Sequence, residues 1–208
     1  MASRLPSEDN LDYFPTPPWA TRALFEHVLP PIWAIDAELH TAWEPACGAG
    51  DMARPMMEYL PQTDASDVVD RGFGRVADFL WHDTRSIFPC VSLVATNPPF
   101  VLAEQFVLKA LEHAHSFVAI FARASFIESV SRYNTIFHES TGFAVYAPFS
   151  ERVPLFRGRL DKKGSSATAY AWFVWIRGNY VAVPRLKIIP PCRKQLERAG
   201  DYTRDTQP

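Results

Sequence analysis

The sequence predicts an α/β domain built on a mostly parallel sheet with helices on both faces, and three observations carry that expectation. Short apolar strands alternate with helical segments over the first 140 residues, the signature of βαβ units. Those strands are almost wholly apolar, as a sheet covered on both faces requires. Two more strands follow with no helix between them, which predicts an antiparallel hairpin at one edge. At 208 residues, with 48% hydrophobic and 21% charged, the chain is large enough for one continuous core.

Each element follows from local signals. Asp12-Tyr13-Phe14-Pro15-Thr16-Pro17-Pro18 is a rigid extended turn; Thr16 is placed to cap, and Pro17 or Pro18 to start, a helix reaching position 29. Pro30-Pro31 ends it. A first strand is expected at 40–46, then a turn at Gly48-Ala49-Gly50 and a helix over 51–60. Strands follow at 62–69, 76–80 and 91–97. The helix over 102–114 sets Phe106, Ala110, Leu111 and Ala114 on one face. A fifth strand at 116–122 precedes a weaker helix at 129–139. The sixth strand is expected at 142–149 and the seventh at 168–177, with Trp172, Phe173 and Trp175 as its core; residues 151–166 between them read as a long loop. The domain is expected to span 12–188, after a disordered arm at 1–11 and before a loosely ordered tail at 189–208.

Composition excludes several classes. No apolar run approaches the roughly 20 residues of a membrane helix, and the first residues hold no apolar secretory segment, so the expectation is a cytoplasmic protein. Cys47, Cys90 and Cys192 are odd in number and far apart, which argues against a disulfide framework or a zinc site; no metal is expected. The net charge of −2 is unevenly spread. Residues 1–150 carry 9 Lys/Arg against 18 Asp/Glu, whereas 151–208 carry 12 against 5. Such asymmetry points to a phosphate-binding face, for which Arg152, Arg157, Arg159, Lys162 and Lys163 are the candidates.

Two motifs carry chemistry. Glu44-Pro45-Ala46-Cys47-Gly48-Ala49-Gly50 lies where the first strand turns into a helix, and its glycines allow a sharp fold and close approach to a ligand. Asp67 falls 19 residues after Gly48, near the spacing at which an acid meets ribose hydroxyls in nucleotide-binding βαβ units. Asp78-Phe79 near the third strand's end offers an acceptor and a ring edge for a purine. No Lys-Ser/Thr follows the glycines, which argues against triphosphate binding; the incomplete Gly-x-Gly-x-x-Gly argues against a hydride-transfer cofactor. The second motif, Asn97-Pro98-Pro99-Phe100, ends the fourth strand. An aryl amine is a poor nucleophile, and two acceptors on its N–H groups raise the electron density on nitrogen. The Asn97 side-chain oxygen and the Pro98 carbonyl fit that task, Pro99 fixes the backbone, and Phe100 can stack on a base. The base must first leave its helical stack. His113 and His115 are read as partners of a helix dipole, and Cys47 as a small packed residue.

Taken together, Pro-Thr-Pro-Pro before a helix, Glu-Pro-Ala-Cys-Gly-Ala-Gly, the acid after strand two, Asp-Phe after strand three and Asn-Pro-Pro-Phe resemble the S-adenosylmethionine-dependent amino-methyltransferases of DNA, in their adenine-specific branch. The resemblance covers about residues 12–178. It implies a Rossmann-like class I methyltransferase sheet of seven strands with the last inserted antiparallel. It also implies that Thr16, Glu44, Pro45, Ala46, Cys47, Gly48, Gly50, Asp67, Asp78 and Phe79 hold S-adenosylmethionine. Asn97, Pro98, Pro99 and Phe100 would then hold the target adenine, with Phe149 closing its other side. The sizeable target-recognition region usual in DNA-specific members has no counterpart after residue 178, which implies the relaxed or short-site specificity of phage and mobile-element enzymes. RNA adenine and protein glutamine remain alternative acceptors, and a catalytically silent DNA- or cofactor-binding accessory protein is the alternative of another class.

Overall fold

The computed structural model describes residues 12–33, 39–81, 88, 90–178 and 181–203. The expected arm at 1–11 lies outside the described residues. Strands β1 (Thr41–Glu44), β2 (Gln62–Asp67), β3 (Arg75–Val76), β4 (Val91–Thr96), β5 (Ala114–Arg123), β6 (Phe143–Pro148), β7 (Tyr170–Ile176) and β8 (Arg185–Leu186) form one sheet in the order β3-β2-β1-β4-β5-β7-β6-β8. Pairing is parallel from β3 through β5. β7 runs antiparallel to both neighbours, and β8 is parallel to β6.

The expected antiparallel hairpin is β6 with β7; β7 inserts between β5 and β6, as the family resemblance implies, and β8 is added beyond β6. The count is eight strands, not seven. β8 has no signature in the sequence because it is a two-residue exposed pair that completes the edge of β6 through backbone bonds alone.

Period-two burial explains how one sheet feeds two cores. Phe117, Ala119 and Phe121 of β5, with Tyr170, Trp172, Val174 and Ile176 of β7, face one core. Val118, Ile120 and Ala122, with Ala171, Phe173 and Trp175, face the other. Helices α1 (Pro18–Ala23) and α3 (Ala53–Met57) contribute Trp19, Ala20 and Met56 to the first core, and α4 (Ala103–His113) contributes Phe106, Val107 and Ala110 to the second. Two indole N–H groups tie these layers to the sheet. Trp172 Nε1 donates to the Ala20 carbonyl at 2.9 Å and Trp175 Nε1 to that of Ile136 at 2.7 Å, so these two buried indoles are satisfied.

Several boundaries differ from expectation. α1 begins at Pro18 with proline in its first turn, but Thr16 does not cap it. A π-helical turn, Leu24–Val28, continues α1, and a one-turn helix α2 (Pro30–Trp33) starts on the proline that ends it. The third strand shrinks to two residues, and the helix expected at 129–139 is the single turn α5 (Val130–Arg132) followed by a π-helical turn at Tyr133–Phe137. His113 is the last residue of α4, as expected, and is also wholly buried, packed edge-on against Trp43 with ring centroids 5.1 Å apart.

The tail expected to be loose is not loose over residues 189–203. Ile189 and Cys192 are buried, and α6 (Arg193–Leu196) packs beside α1. The buried Arg22 guanidinium of α1 holds it there, bonding both oxygens of Glu58 and both oxygens of Asp201 at 2.8 Å, and the Leu196 carbonyl at 2.7 Å. Nothing local in the tail sequence announces a partner 179 residues away.

Candidate active site

Four strand ends meet at one cavity. Glu44 closes β1, Asp67 closes β2, Asp78 follows β3 and Asn97 follows β4; all four line a cavity of about 260 Å³. Parallel open sheets place ligand sites in this way, outside the carboxyl ends of their strands. Thr16, Pro45, Ala46, Cys47, Phe79 and Pro99 line it too, as do Tyr13, Phe14, Asp51, Arg71 and Phe106, which the motifs did not single out.

The glycine loop shapes the rim. Gly48 and Gly50 have φ of +53° and +84°. A Cβ on Gly48 would come within 2.4 Å of the Tyr13 ring, and one on Gly50 within 2.6 Å of the Phe73 ring. These glycines do not line the cavity themselves; they let two aromatic rings lie on the loop. Asp67 fixes the loop against β2. Its Oδ2 accepts from the Gly48 N–H at 2.8 Å and its Oδ1 from the Val69 N–H at 3.0 Å. Each oxygen keeps a further lone pair for a ligand hydroxyl.

Negative charge is concentrated inside. Glu44 is buried; the Ala53 N–H donates to its carboxyl, yet Oε2 has no hydrogen-bond partner among the described residues. Burial first, then the charges of Asp51 and Asp67, hold the Glu44 carboxyl well above the usual carboxylate range. A buried acceptor without a donor is costly, and a cationic or hydrogen-bonding ligand would relieve it. Burial also pushes the Cys47 thiol up, with Glu44 and Asp67 adding to it. The thiol therefore stays protonated, which fits packing and not nucleophilic chemistry.

A strap formed by residues 12–16 covers this cavity. The Tyr13 hydroxyl donates to Asp51 Oδ2 at 3.3 Å and accepts from the Ala49 N–H at 3.4 Å. The Arg71 guanidinium lies 4.2 Å over the Tyr13 ring. Thr16, expected to cap a helix, instead accepts at Oγ1 from Asn97 Nδ2 at 3.0 Å, and the same Nδ2 donates to the Phe14 carbonyl at 2.9 Å. A carbonyl can only accept, so the amide orientation is fixed, and Asn97 Oδ1 is the end left to accept from a ligand. An aromatic pair beside proline is the sequence signal for this strap, and on its own it predicts no more than a turn.

The remaining candidates lie around the cavity and not in it. Phe100 is half-buried outside the lining, its ring 5.3 Å from that of Phe14 and 4.5 Å beneath the Arg123 guanidinium. Pro98 is likewise not part of the lining. Phe149 packs edge-on against Trp19 at 5.6 Å, on the core side. Of the basic residues, Arg159 lines a neighbouring recess of about 230 Å³ shared with Tyr13, Asp51 and Arg71; Arg152, Arg157, Lys162 and Lys163 are exposed and line neither space. The loop that carries them is not free. Its Gly158 N–H donates to the Tyr13 carbonyl at 2.9 Å, Glu151 accepts from the N–H groups of Cys192 and Arg193, and Arg193 donates to the Lys162 carbonyl.

Among the described residues no cluster of three or more His, Cys, Asp or Glu is placed to hold a metal ion, and no helix is long and apolar enough to cross a membrane. No protein-family model and no curated protein matches the chain. Solved structures do match. A candidate RNA methyltransferase from Pyrococcus horikoshii superposes with a TM-score of 0.57 at 18% identity, over 80% of this chain and 87% of that one. A candidate class I S-adenosylmethionine-dependent methyltransferase from Listeria monocytogenes gives 0.53 at 9%, over 82% and 64%. The chain has the class I methyltransferase fold. The methyltransferase subunit of a type I restriction-modification system from Streptococcus thermophilus gives 0.58 at 12% identity, over 91% of this chain but only 49% of that subunit.

Proposed function

We propose that the chain is an S-adenosylmethionine-dependent methyltransferase that modifies the 6-amino group of adenine in DNA. One observation carries the reading. The Asn97 amide, next to Pro98 and Pro99 at the end of β4, is clamped through Nδ2 so that Oδ1 is its remaining acceptor, and it shares a cavity with the buried carboxyls of Glu44 and Asp51.

Those carboxyls suit the cationic portion of S-adenosylmethionine, which supplies an electrophilic sulfonium methyl when bound. Glu44 Oε2 would gain the donor it lacks, Asp67 would meet ribose hydroxyls, and Asp78 with Phe79 would meet the purine. On the acceptor side, Asn97 Oδ1 and the Pro98 carbonyl take the two N–H groups of the amine. Its nitrogen would then bond to the methyl carbon, the S–CH₃ pair would stay on sulfur, and the surplus N–H proton would pass to solvent water. This is preorganised electrostatics, not acid–base catalysis. The exposed cations Arg152, Arg157, Lys162 and Lys163 supply sequence-independent phosphate contacts.

Incubation of the protein with methyl-labelled cofactor and, separately, DNA, RNA and a glutamine-containing peptide tests the reading. Label recovered as N6-methyladenine from DNA is the expected result. Label only in RNA or glutamine would reassign the acceptor, and no transfer to any of them would remove the activity.

A further inference from the structure

Phe100 is assigned to stacking on the target base, yet its ring is not bare. The Arg123 guanidinium lies 4.5 Å from its centroid. Arg123 is the last residue of β5, one strand over from the Asn97 turn, and pairs across the ladder with Tyr170, whose hydroxyl it also contacts. It is exposed, and among the described residues it forms no ion pair.

A guanidinium is planar, delocalised and weakly hydrated, so it stacks on an aromatic face much as a nucleobase does. It also forks onto phosphate oxygens in a way a base cannot. We infer that Arg123 holds the stacking face of Phe100 in the free protein, yields it to the incoming adenine, and passes to a phosphate of that nucleotide. The inference rests on the proposed DNA adenine activity. It makes Arg123 a positioning residue that couples base capture to backbone contact. Among the described residues its contacts are this cation–π contact and the Tyr170 hydroxyl, neither of which neutralises the head group as a carboxylate would.

The test uses the full chain, saturated with cofactor, and two DNA duplexes: one with adenine at the methylated position, for binding and methylation, and one with 2-aminopurine there, which lacks the 6-amino group, for base extrusion alone. For Arg123→Ala the slope of log binding constant against log salt should become shallower by about 0.9, the value of one phosphate contact. The dissociation constant should rise roughly tenfold, as removal of one charge-assisted bond implies. The KM for DNA should rise with it, while the single-turnover rate at saturating DNA stays within about threefold. Fluorescence of the extruded 2-aminopurine, per bound complex, should be retained. Arg123→Lys should restore the salt slope. An unchanged slope in Arg123→Ala with loss of the fluorescence signal would overturn the proposal and make Arg123 a mere prop for Phe100. Failure of the wild-type protein to methylate adenine in DNA is a separate result, read in a different assay, and would sink the parent reading.

Discussion

Asn97 reaches back across 83 residues to the Phe14 carbonyl, donating to it at 2.9 Å, and through the same nitrogen to Thr16 Oγ1 at 3.0 Å. In the proposed function one amide therefore does two tasks: its nitrogen fastens the strap over the cavity while its oxygen would accept from the target amine. Binding and catalysis are linked through a single side chain, which changes what its removal should do.

Asn97→Ala is expected to lower the single-turnover methylation rate on the order of a hundredfold, because comparable preorganised contacts are worth about 2.7–4 kcal/mol. Cofactor affinity should also fall several-fold, since the strap loses two bonds of roughly 0.5–1.5 kcal/mol each. Thr16→Val separates the two effects. It removes one strap bond and leaves Oδ1 in place, so it should weaken cofactor binding modestly and spare most of the rate. A Thr16→Val rate as low as that of Asn97→Ala would show that strap closure, not acceptor chemistry, limits turnover.

Arg157, Lys162 and Lys163 are exposed on a loop that is tied down at Gly158, Glu151 and the Lys162 carbonyl. Replacing the three with Gln should therefore not unfold the loop. DNA binding should weaken on all sequences alike, and the salt slope should flatten by about 0.9 for each phosphate no longer neutralised. Cofactor affinity should stay near wild type, because these side chains line neither space. Titrations at several salt concentrations, alongside calorimetry for the cofactor, check both halves.

Most of the strand-end chemistry is legible in the sequence because it is local. Glu44 and Asp67 end their strands and Asp78 and Asn97 follow theirs, and parallel strands that share a sheet must deliver their ends to one side. Three features are not legible, each for a non-local reason. Thr16 looks like a cap because a hydroxyl before proline does cap helices, and only the fold brings Asn97 to it. β8 has no apolar signature, since its pairing uses backbone groups that every residue carries. The tail looks loose because Asp201 is an ordinary surface acid until it meets Arg22.

That ion cluster should dominate the stability of the C-terminal segment. The Arg22 and Asp201 side chains are 4% and 6% exposed, and breaking a buried pair by removing one partner typically costs about 3–5 kcal/mol. Asp201→Ala is expected to destabilise by roughly this amount in urea titration, tempered because Glu58 still holds Arg22. Lys194, exposed on the same segment, should be replaceable by Ala with a change within about 0.5 kcal/mol. Equal effects at the two positions would mean that the segment is held by something other than Arg22.

Glu44 gives the strongest test of the cavity, because its signs for stability and for binding are opposite. Burial and the charges of Asp51 and Asp67 raise its folded-state carboxyl well above the usual range. The folded protein thus binds the Glu44 proton more tightly than the unfolded chain does. Below the unfolded value, near 4.5, both states are protonated and the residue has no titration cost. As pH rises from there through the folded value, the ligand-free protein loses stability. Glu44→Gln keeps an acceptor for the Ala53 N–H but cannot ionise. It should raise the melting temperature of the ligand-free protein at pH 7, by about 2–4 °C for each kcal/mol relieved, with the gain fading toward pH 4.5. The same substitution should weaken binding of S-adenosylmethionine, which needs the negative charge, so added cofactor should raise the melting temperature of the wild type more than that of the variant. Melting curves from pH 4.5 to 8, with and without cofactor, read both signs. A variant less stable than wild type at pH 7 without cofactor would mean that the carboxylate is already satisfied, and would remove Glu44 from its proposed place opposite the cation.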